Sequence, residues 1–469
     1  MTGPAAAPAT TPAPHLRHGS LSQVEILGQS IANVGPTITP AISIAVVAAL
    51  AGPGTWVAYL VATVGMMFVA ANIGALARRH PQSGSFFLYI GRNLGPLAGA
   101  LAGWAMVGAY LFTAVAITIA STIFIGNVLA ATGLAGLVPP AWSLVIAVVA
   151  LVTLAGWRDI QLSSRLALVL EAASLAIIIA IMAVVTWRHG TLVDRSQLDI
   201  AALPAGGIMS GLTFAVFSFV GFESAATLAR ETRNPRVAVP RAIMGSAVGV
   251  GLFFAGIAYL MVLGTNGGAG VIGASAAPFA DLARGAGMGW IAGIVYFAAI
   301  ISGFACVLAS VNAASRLLFS MARYGFITGR MGRVHARHRT PHVAVAVTCA
   351  LVLTASLAVL PLGAMVAYGL TGTFATLGFL LVYLGVCIVA PIDLRRSGGL
   401  RRRDTLVALV GAALVGFVII GSIWPAPAAP YDTLPWLFAL YMGVGALWFA
   451  GLDRARPGRL AGIVHDLEG

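Results

Sequence analysis

The residues best suited to chemistry lie between Phe214 and Arg241, where the chain reads FAVFSFVGFESAATLARETRNPRVAVPR. An interruption from Ser218 to Gly221 precedes the acid Glu223, within a stretch that begins as an apolar helix pattern. In hydrocarbon, the backbone groups freed by such a break need partners, and a carboxyl group needs a polar cavity or a proton. A helix with both features is expected to line a binding site rather than only to span a membrane.

The composition is that of a polytopic helical membrane protein. The 469 residues are 59% hydrophobic and 9% charged, whereas soluble proteins average about 25% charged residues. Apolar runs recur that are long enough to cross a bilayer core of roughly 30 Å. The polar stretches between them are too short for a large soluble domain.

Twelve membrane spans are predicted from the apolar runs and the breakers between them. They lie near residues 31–51, 54–77, 94–126, 139–155, 162–187, 205–230, 240–264, 287–321, 342–362, 365–391, 404–424 and 433–452. Within a membrane domain of residues 25–455, residues 1–24 and 456–469 are left as cytoplasmic tails. The first tail is expected to be disordered, because it is poor in order-promoting residues.

Arginine sets the expected orientation, because the chain has no lysine and all 27 basic residues are arginines. The outer connections carry only Arg188, Arg195 and Arg284. The cytoplasmic connections carry Arg78, Arg79, Arg158, Arg230, Arg233, Arg236, Arg241, Arg323, Arg330, Arg333, Arg337, Arg339, Arg395, Arg396, Arg401, Arg402 and Arg403. This asymmetry predicts a multi-pass plasma-membrane protein with both termini in the cytoplasm. It also accounts for the net charge of +13 without nucleic-acid binding.

A second interruption matches the first. Span 1 contains Asn33-Val34-Gly35-Pro36-Thr37, five spans before the break at Ser218 to Gly221. Matched breaks in two five-helix halves are typical of transporters built from an inverted repeat, which bind substrate near the bilayer midplane. The halves would cover residues 25–187 and 205–391, and residues 404–452 would form two further helices.

Four glycines predict close helix packing. Gly91, Gly95, Gly99 and Gly103 recur at every fourth position around the start of span 3. On one continuous helix they would form a groove that admits a neighbouring backbone.

Three blocks of sequence carry a family resemblance. The first comprises Phe217-Ser218-Phe219-Val220-Gly221-Phe222-Glu223-Ser224-Ala225, Glu231-Thr232-Arg233-Asn234-Pro235 and Val239-Pro240-Arg241-Ala242. The second comprises Pro81-Gln82-Ser83-Gly84-Ser85-Phe86-Phe87-Leu88-Tyr89, Gly95-Pro96 and Gly103-Trp104. The third comprises Asn312-Ala313-Ala314-Ser315-Arg316 and Ala322-Arg323-Tyr324-Gly325. They resemble helix 6, the start of helix 3 and the end of helix 8 of the amino acid–polyamine–organocation (APC) permeases.

The resemblance implies an all-α membrane protein with the LeuT-type 5+5 inverted repeat, twelve transmembrane helices, and helices 1 and 6 unwound at the midplane. It also implies secondary transport by alternating access. The substrate would be a small molecule, an amino acid or an amine, bound between the unwound segments. The protein would function as a monomer or a homodimer in the lipid bilayer.

The expected site follows from the chemistry of half-helix ends. Free amides at the N-terminus of the second half of helix 1 suit a carboxylate, and free carbonyls in helix 6 suit an ammonium group. A kink at Gly35-Pro36 that is merely filled by packing is the alternative. The candidate substrate-binding residues are Asn33, Val34, Gly35, Thr37, Ile38, Phe217, Ser218, Val220 and Gly221.

Span 1 departs from the glycine-rich pattern of many family members. Pro36 has no N–H group to donate, and Pro40 adds a second break. Fewer amide donors are therefore available for a carboxylate. A polyamine or another organic amine, which needs acceptors more than donors, stays open as the alternative substrate.

Aromatic and charged side chains are candidates for gates. Phe217 corresponds to an aromatic that closes over substrate in antiporter relatives, and Tyr110 on span 3 could close the site with it. Core packing is the alternative for both. An inner gate or interfacial anchors could be formed by Glu231, Arg233, Arg241 and Arg316.

Two acids are candidates for coupling to a proton gradient, because a buried carboxyl group can carry a proton. Glu223 follows the break in span 6, and Glu171 lies in span 5. Many relatives have a lysine in helix 5, but this chain has Ser174 at that position. A lysine mechanism is thereby excluded. Either H⁺ moves through these acids, which could instead be structural, or Na⁺ binds near Ser174 and Ser310.

Other classes of protein find less support. No zincin HExxH motif, Walker loop or other catalytic set is present, so an enzyme is not expected, and no metal site or cofactor is implied. A non-transporting sensor or channel-like protein is the alternative of another class. A sensor would need an output domain. A channel would need a selectivity filter or a ring of charged residues.

Overall fold

The computed structural model describes residues 18–81, 85–158, 160–265, 268–275, 278–285, 287–424, 427 and 429–455. Most of the expected N-terminal tail, the whole C-terminal tail and the motif residues Gln82, Ser83 and Gly84 lie outside this part of the chain. The described residues form helices and connecting turns, and their only β pairing is an isolated bridge between Leu21 and Thr232.

Seventeen α-helices are found in the described residues. They are α1 Gln23–Val34, α2 Ile38–Ala51, α3 Thr55–Arg79, α4 Ser85–Leu94, α5 Pro96–Ala131, α6 Ala141–Trp157, α7 Ile160–His189, α8 Arg195–Leu198, α9 Ala205–Phe217, α10 Pro235–Gly264, α11 Gly268–Gly273, α12 Pro278–Gly285, α13 Ala292–Arg323, α14 His342–Val359, α15 Ala364–Arg396, α16 Arg402–Gly421 and α17 Leu434–Ala455. Nine helical stretches of this part of the chain are long and apolar enough to cross a membrane. The chain is therefore a multi-pass helical membrane protein.

Each predicted span overlaps one or two of these helices, although the bounds differ. The helix of span 7 begins at Pro235, not near residue 240, because proline is tolerated in the first helical turn. Pro240 lies inside this helix. Span 6 coincides with α9 and with a 3₁₀ helix at Ser224–Glu231, which are separated by turns.

The first interruption follows from the backbone preferences of Gly35 and Pro36. Gly35 ends α1 in the left-handed conformation, with φ of 62°, and its N–H group donates to the carbonyls of Ile31 and Ala32. Pro36 then supplies no N–H group, and α2 begins at Ile38. Glycine adopts positive φ without the steric cost that other residues meet.

The long helices pack lengthwise against one another. Helix α3 packs along α10, and α5 packs along α13 and α15. Helix α1 lies against α7, α10 and α13, so the first interruption is enclosed by helices on several sides. Buried apolar side chains from these elements form one continuous core.

The four spaced glycines do not lie on one helix. A turn at Gly95, with φ of 98°, separates α4 from α5. A Cβ built on Gly99 would lie 2.6 Å from the Cα of Gly91 and would overlap neighbouring backbone. The glycines therefore allow two helices to meet across a turn, which a single helical repeat did not predict.

Candidate functional site

The two interruptions meet at Asn33 and Gly221. The side-chain amide of Asn33 donates to the carbonyl of Gly221, 3.3 Å away. Gly221 has φ of 101°, and a Cβ at this position would overlap the Asn33 amide. A glycine is required here both by the backbone conformation and by the close approach of Asn33.

Helix α13 holds Asn33 in place. The hydroxyl of Ser310 donates to Asn33 Oδ1 at 2.7 Å, and the thiol of Cys306 donates to the Asn33 carbonyl at 3.1 Å. The side chain of Asn33 is 1% exposed. Its amide can therefore point only toward the second interruption.

A cavity adjoins both interruptions. It measures about 30 Å³, which admits water but is too small for an amino acid. None of the described residues that line it is charged. The lining residues are Asn33, Val34, Thr39, Thr113, Ala116, Ile117, Phe217, Ser218, Val220, Cys306, Tyr368 and Gly372. An amino acid would fit only after side chains move, so the structure shows a closed form of the site.

Five of the predicted substrate-binding residues line this cavity, namely Asn33, Val34, Phe217, Ser218 and Val220. Gly35, Thr37, Ile38 and Gly221 are not among the lining residues. The amide of Gly35 is used to end α1. The amides of Thr37 and Ile38 both donate to the hydroxyl of Ser302 on α13, each at 3.4 Å. These two amides thus face Ser302 in the closed form.

Glu171 and Ser174 lie on the Ser302 side of the break. Glu171 Oε1 accepts hydrogen bonds from Ser302 at 3.0 Å and from Ser174 at 3.3 Å. The hydroxyls of Ser174 and Thr37 are 3.1 Å apart. Ser310 contacts Asn33 instead. The two serines predicted to share a cation site therefore bond to different partners.

Glu223 is held by two tyrosines. Tyr110 on α5 donates to Oε1 at 2.7 Å, and Tyr383 on α15 donates to Oε2. All three side chains are buried. The carboxyl group thereby ties the segment after the second interruption to two long helices, and Tyr110 is not among the residues that line the cavity.

Phe217 reaches across the cavity to α15. A Cβ built on Gly372 would lie 2.7 Å from Cζ of Phe217. The tip of the aromatic ring therefore packs directly against the backbone of Gly372, where a side chain would leave no room. Phe217 is the last residue of α9, so the second interruption starts where this ring closes on α15.

A buried ion pair lies at the other end of the 3₁₀ helix. Arg316 Nε is 2.7 Å from Glu231 Oε2, and the two side chains are 1% and 0% exposed. Arg316 also donates to the carbonyl of Asn312. Beside this pair, the amide of Leu21 donates to the Glu231 carbonyl and the amide of Arg233 donates to the Leu21 carbonyl, both at 2.8 Å.

Sequence reasoning missed several residues of the site. Ser302, Cys306, Tyr368, Gly372 and Tyr383 come from spans 8 and 10, which contain no acidic residue that would have drawn attention to them. A serine or tyrosine in an apolar helix carries no sequence signal of its own, because its role depends on partners more than 60 positions away. Only the packing of the helices in three dimensions brings these residues to the site.

Interrupted helices that meet beside a cavity are typical of membrane carriers that bind substrate between the two interruptions. The amino acid permease family profile matches residues 25–426. The chain belongs to this family, which agrees with the APC resemblance found in the sequence.

Several curated relatives are similar over most of the chain. The branched-chain amino acid permease BcaP of Bacillus subtilis is 25% identical over 63% of this chain and 66% of its own length. The low-affinity putrescine importer PlaP of Escherichia coli is 26% identical over 78% of this chain and 79% of its own. An uncharacterized transporter of Mycobacterium tuberculosis is 28% identical over 81% of both chains. The relatives are permeases and transporters, not enzymes.

Proposed function

We propose that this protein is a secondary active transporter that moves an amino acid across the plasma membrane by alternating access. The supporting observation is the hydrogen bond from Asn33 to Gly221, which joins two interrupted helices beside a small cavity whose described lining residues are uncharged. In this proposal the chain has twelve transmembrane helices, a LeuT-type 5+5 repeat and both termini in the cytoplasm. Helices 1 and 6 are unwound at the midplane.

An amino acid would lie against both interruptions. Its ammonium group would be bound by carbonyl oxygens near Phe217, Ser218 and Val220, and its carboxylate by the amides of Thr37 and Ile38. The apolar part of the lining, including Ile117, suits an uncharged side chain. The similarity to BcaP supports this substrate class.

Phe217 would be the aromatic residue that closes the site, and its ring would pack against Gly372. The Glu231–Arg316 pair and the Leu21–Thr232 bridge would close the cytoplasmic side. Tyr110, predicted as a gate, would serve instead as an anchor of Glu223, because its hydroxyl donates to that acid, its side chain is buried, and it does not line the cavity.

A polyamine or another amine is the second candidate substrate. The similarity to PlaP supports it, as does the orientation of the Thr37 and Ile38 amides toward Ser302. The absence of a charged residue from the described lining argues against a dication, which would carry its second charge into an apolar space.

The test is a thermal-shift screen of the purified full-length protein, followed by uptake into proteoliposomes. The twenty amino acids and putrescine would be tested one by one, with and without sodium. A ligand that binds the native state raises its apparent stability with concentration. We expect stabilisation and uptake of an uncharged amino acid. Uptake of putrescine alone would establish the second candidate, and no uptake of either class would overturn the proposal.

A further inference from the structure

The carboxyl group of Glu171 is partnered on one side only. Oε1 accepts from Ser302 and Ser174. Oε2 is buried and has no hydrogen-bond partner among the described residues. The residue is 1% exposed, and a buried carboxylate oxygen without a donor is costly. Oε2 is an atom that a proton would satisfy.

Ser302 connects this carboxyl group to helix α2. Its oxygen accepts from the amides of Thr37 and Ile38, while its proton is donated to Glu171. These amides belong to the N-terminus of α2, where backbone donors are left free and the helix dipole favours negative charge. Glu171 is thus one hydroxyl group away from the place that suits a substrate carboxylate.

Two carboxylates separated by one hydroxyl group in a site of low dielectric cannot both remain ionised without a large cost, and one of them takes up a proton. The substrate carboxylate is the stronger competitor for the amides, because charge-assisted hydrogen bonds are shorter and stronger than those to a neutral hydroxyl. The proton would therefore bind to Glu171, at Oε2.

We propose that an amino acid carboxylate at the amides of Thr37 and Ile38 and a proton on Glu171 bind together, with Ser302 as the positioning residue between them. Each zwitterion then carries one proton, and the protein is a proton symporter. This inference rests on the proposed function. An amine without a carboxylate would have the opposite effect, since its positive charge favours the ionised form of Glu171.

Few other ionisable groups face Glu171 from the helices packed against α7. Cys306 on α13 interacts with it electrostatically. The remaining groups have their own partners or lie toward helix ends. They are Glu25 on α1, which is bound to Arg165; Arg316 on α13, which is bound to Glu231; Tyr296 and Arg323, nearer the two ends of α13; and Arg236, Arg241 and Tyr259 on α10.

Glu223 is a poorer candidate for this proton. Each of its oxygens accepts a hydrogen bond from a tyrosine hydroxyl, so neither is left without a donor, as Oε2 of Glu171 is among the described residues. The geometry therefore divides the roles of the two acids. Glu223 fixes the second interruption, and Glu171 exchanges the proton.

The test measures proton uptake when the purified full-length protein binds the amino acid selected in the screen, in weakly buffered solution with a pH indicator. Wild-type protein is expected to take up close to one proton for each amino acid bound in the pH range where free Glu171 is ionised. The dissociation constant then rises about tenfold for each pH unit. Glu171→Gln, a neutral mimic of the protonated acid, is expected to bind with a pH-independent dissociation constant and no proton uptake.

Asp393→Asn is the matched control, because it makes the same change in a buried acid of α15 that bonds His80. It is expected to retain proton uptake. Ser302→Ala should lower the number of protons per amino acid, and Ser302→Thr should restore it. Wild-type binding without proton uptake, or uptake that persists in Glu171→Gln, would overturn the inference and leave the proposed function intact. Failure of every amino acid to bind wild-type protein would remove both.

Discussion

The side-chain amide of Asn33 donates a hydrogen bond to the carbonyl oxygen of Gly221, although the two residues are 188 positions apart. Each lies at an interruption of its own helical segment. Since Ser310 and Cys306 fix the other polar atoms of Asn33, the position of the second interruption depends on that of the first. The two breaks form one structural unit rather than two independent kinks.

Gly221→Ala is expected to damage this unit. A positive φ costs a residue with a Cβ roughly 1–2 kcal/mol, and the new methyl group would displace the Asn33 amide. We expect a lower melting temperature and loss of most uptake in proteoliposomes. Gly249→Ala is the control, because a Cβ there meets nothing within 4 Å. Equal activity of the two variants would show that the contact with Asn33 is not required.

Tyr383→Phe is expected to leave Glu223 Oε2 without its donor. A buried acceptor that loses its partner costs about 1–3 kcal/mol, and more if it is charged. The melting temperature and the uptake rate should both fall, and Tyr110→Phe should have a similar effect on Oε1. Tyr441→Phe removes a partly buried tyrosine hydroxyl that bonds the Trp104 carbonyl and not this acid. If it impairs uptake as strongly as Tyr383→Phe, the anchoring of Glu223 has no special importance.

Gly372→Ala is expected to displace the ring of Phe217, because the new methyl carbon would lie 2.7 Å from Cζ. The substrate concentration for half-maximal uptake should rise several-fold. Trimming the ring in the double variant Phe217→Leu/Gly372→Ala should recover part of this loss if the defect is steric. If the half-maximal concentration of the double variant is as high as that of Gly372→Ala, the proposed packing of Phe217 against Gly372 is contradicted.

Glu231→Gln is expected to be strongly destabilising, because it leaves Arg316 charged and buried. Breaking a buried ion pair on one side costs roughly 3–5 kcal/mol, whereas replacing both partners with apolar residues is often tolerated. The double variant Glu231→Leu/Arg316→Met should therefore melt at a higher temperature than Glu231→Gln. Melting curves of the detergent-purified variants test this order, and the reverse order would contradict it.

Much of the architecture is readable from the sequence, because length and hydropathy alone define a membrane helix. The interruptions were also predictable, since Gly35, Pro36 and Gly221 have strong local preferences. The orientation of freed backbone groups was not. Thr37 and Ile38 were expected to face a substrate, but in the closed form their amides bond to Ser302, which lies 264 positions from Ile38. Local sequence cannot specify which of several neighbours a free amide will choose.

The bridge between Leu21 and Thr232 has an evolutionary consequence. Main-chain atoms of Leu21, Glu231 and Arg233 make both of its hydrogen bonds, so every amino acid except proline at positions 21 and 233 can preserve them. The Arg316–Glu231 pair beside it depends on two side chains that must be inherited together. The two main-chain hydrogen bonds can therefore persist in distant homologues whose residues at these positions differ, within the limit that the buried side chain of Leu21 stays apolar, whereas the ion pair should change only by paired substitution.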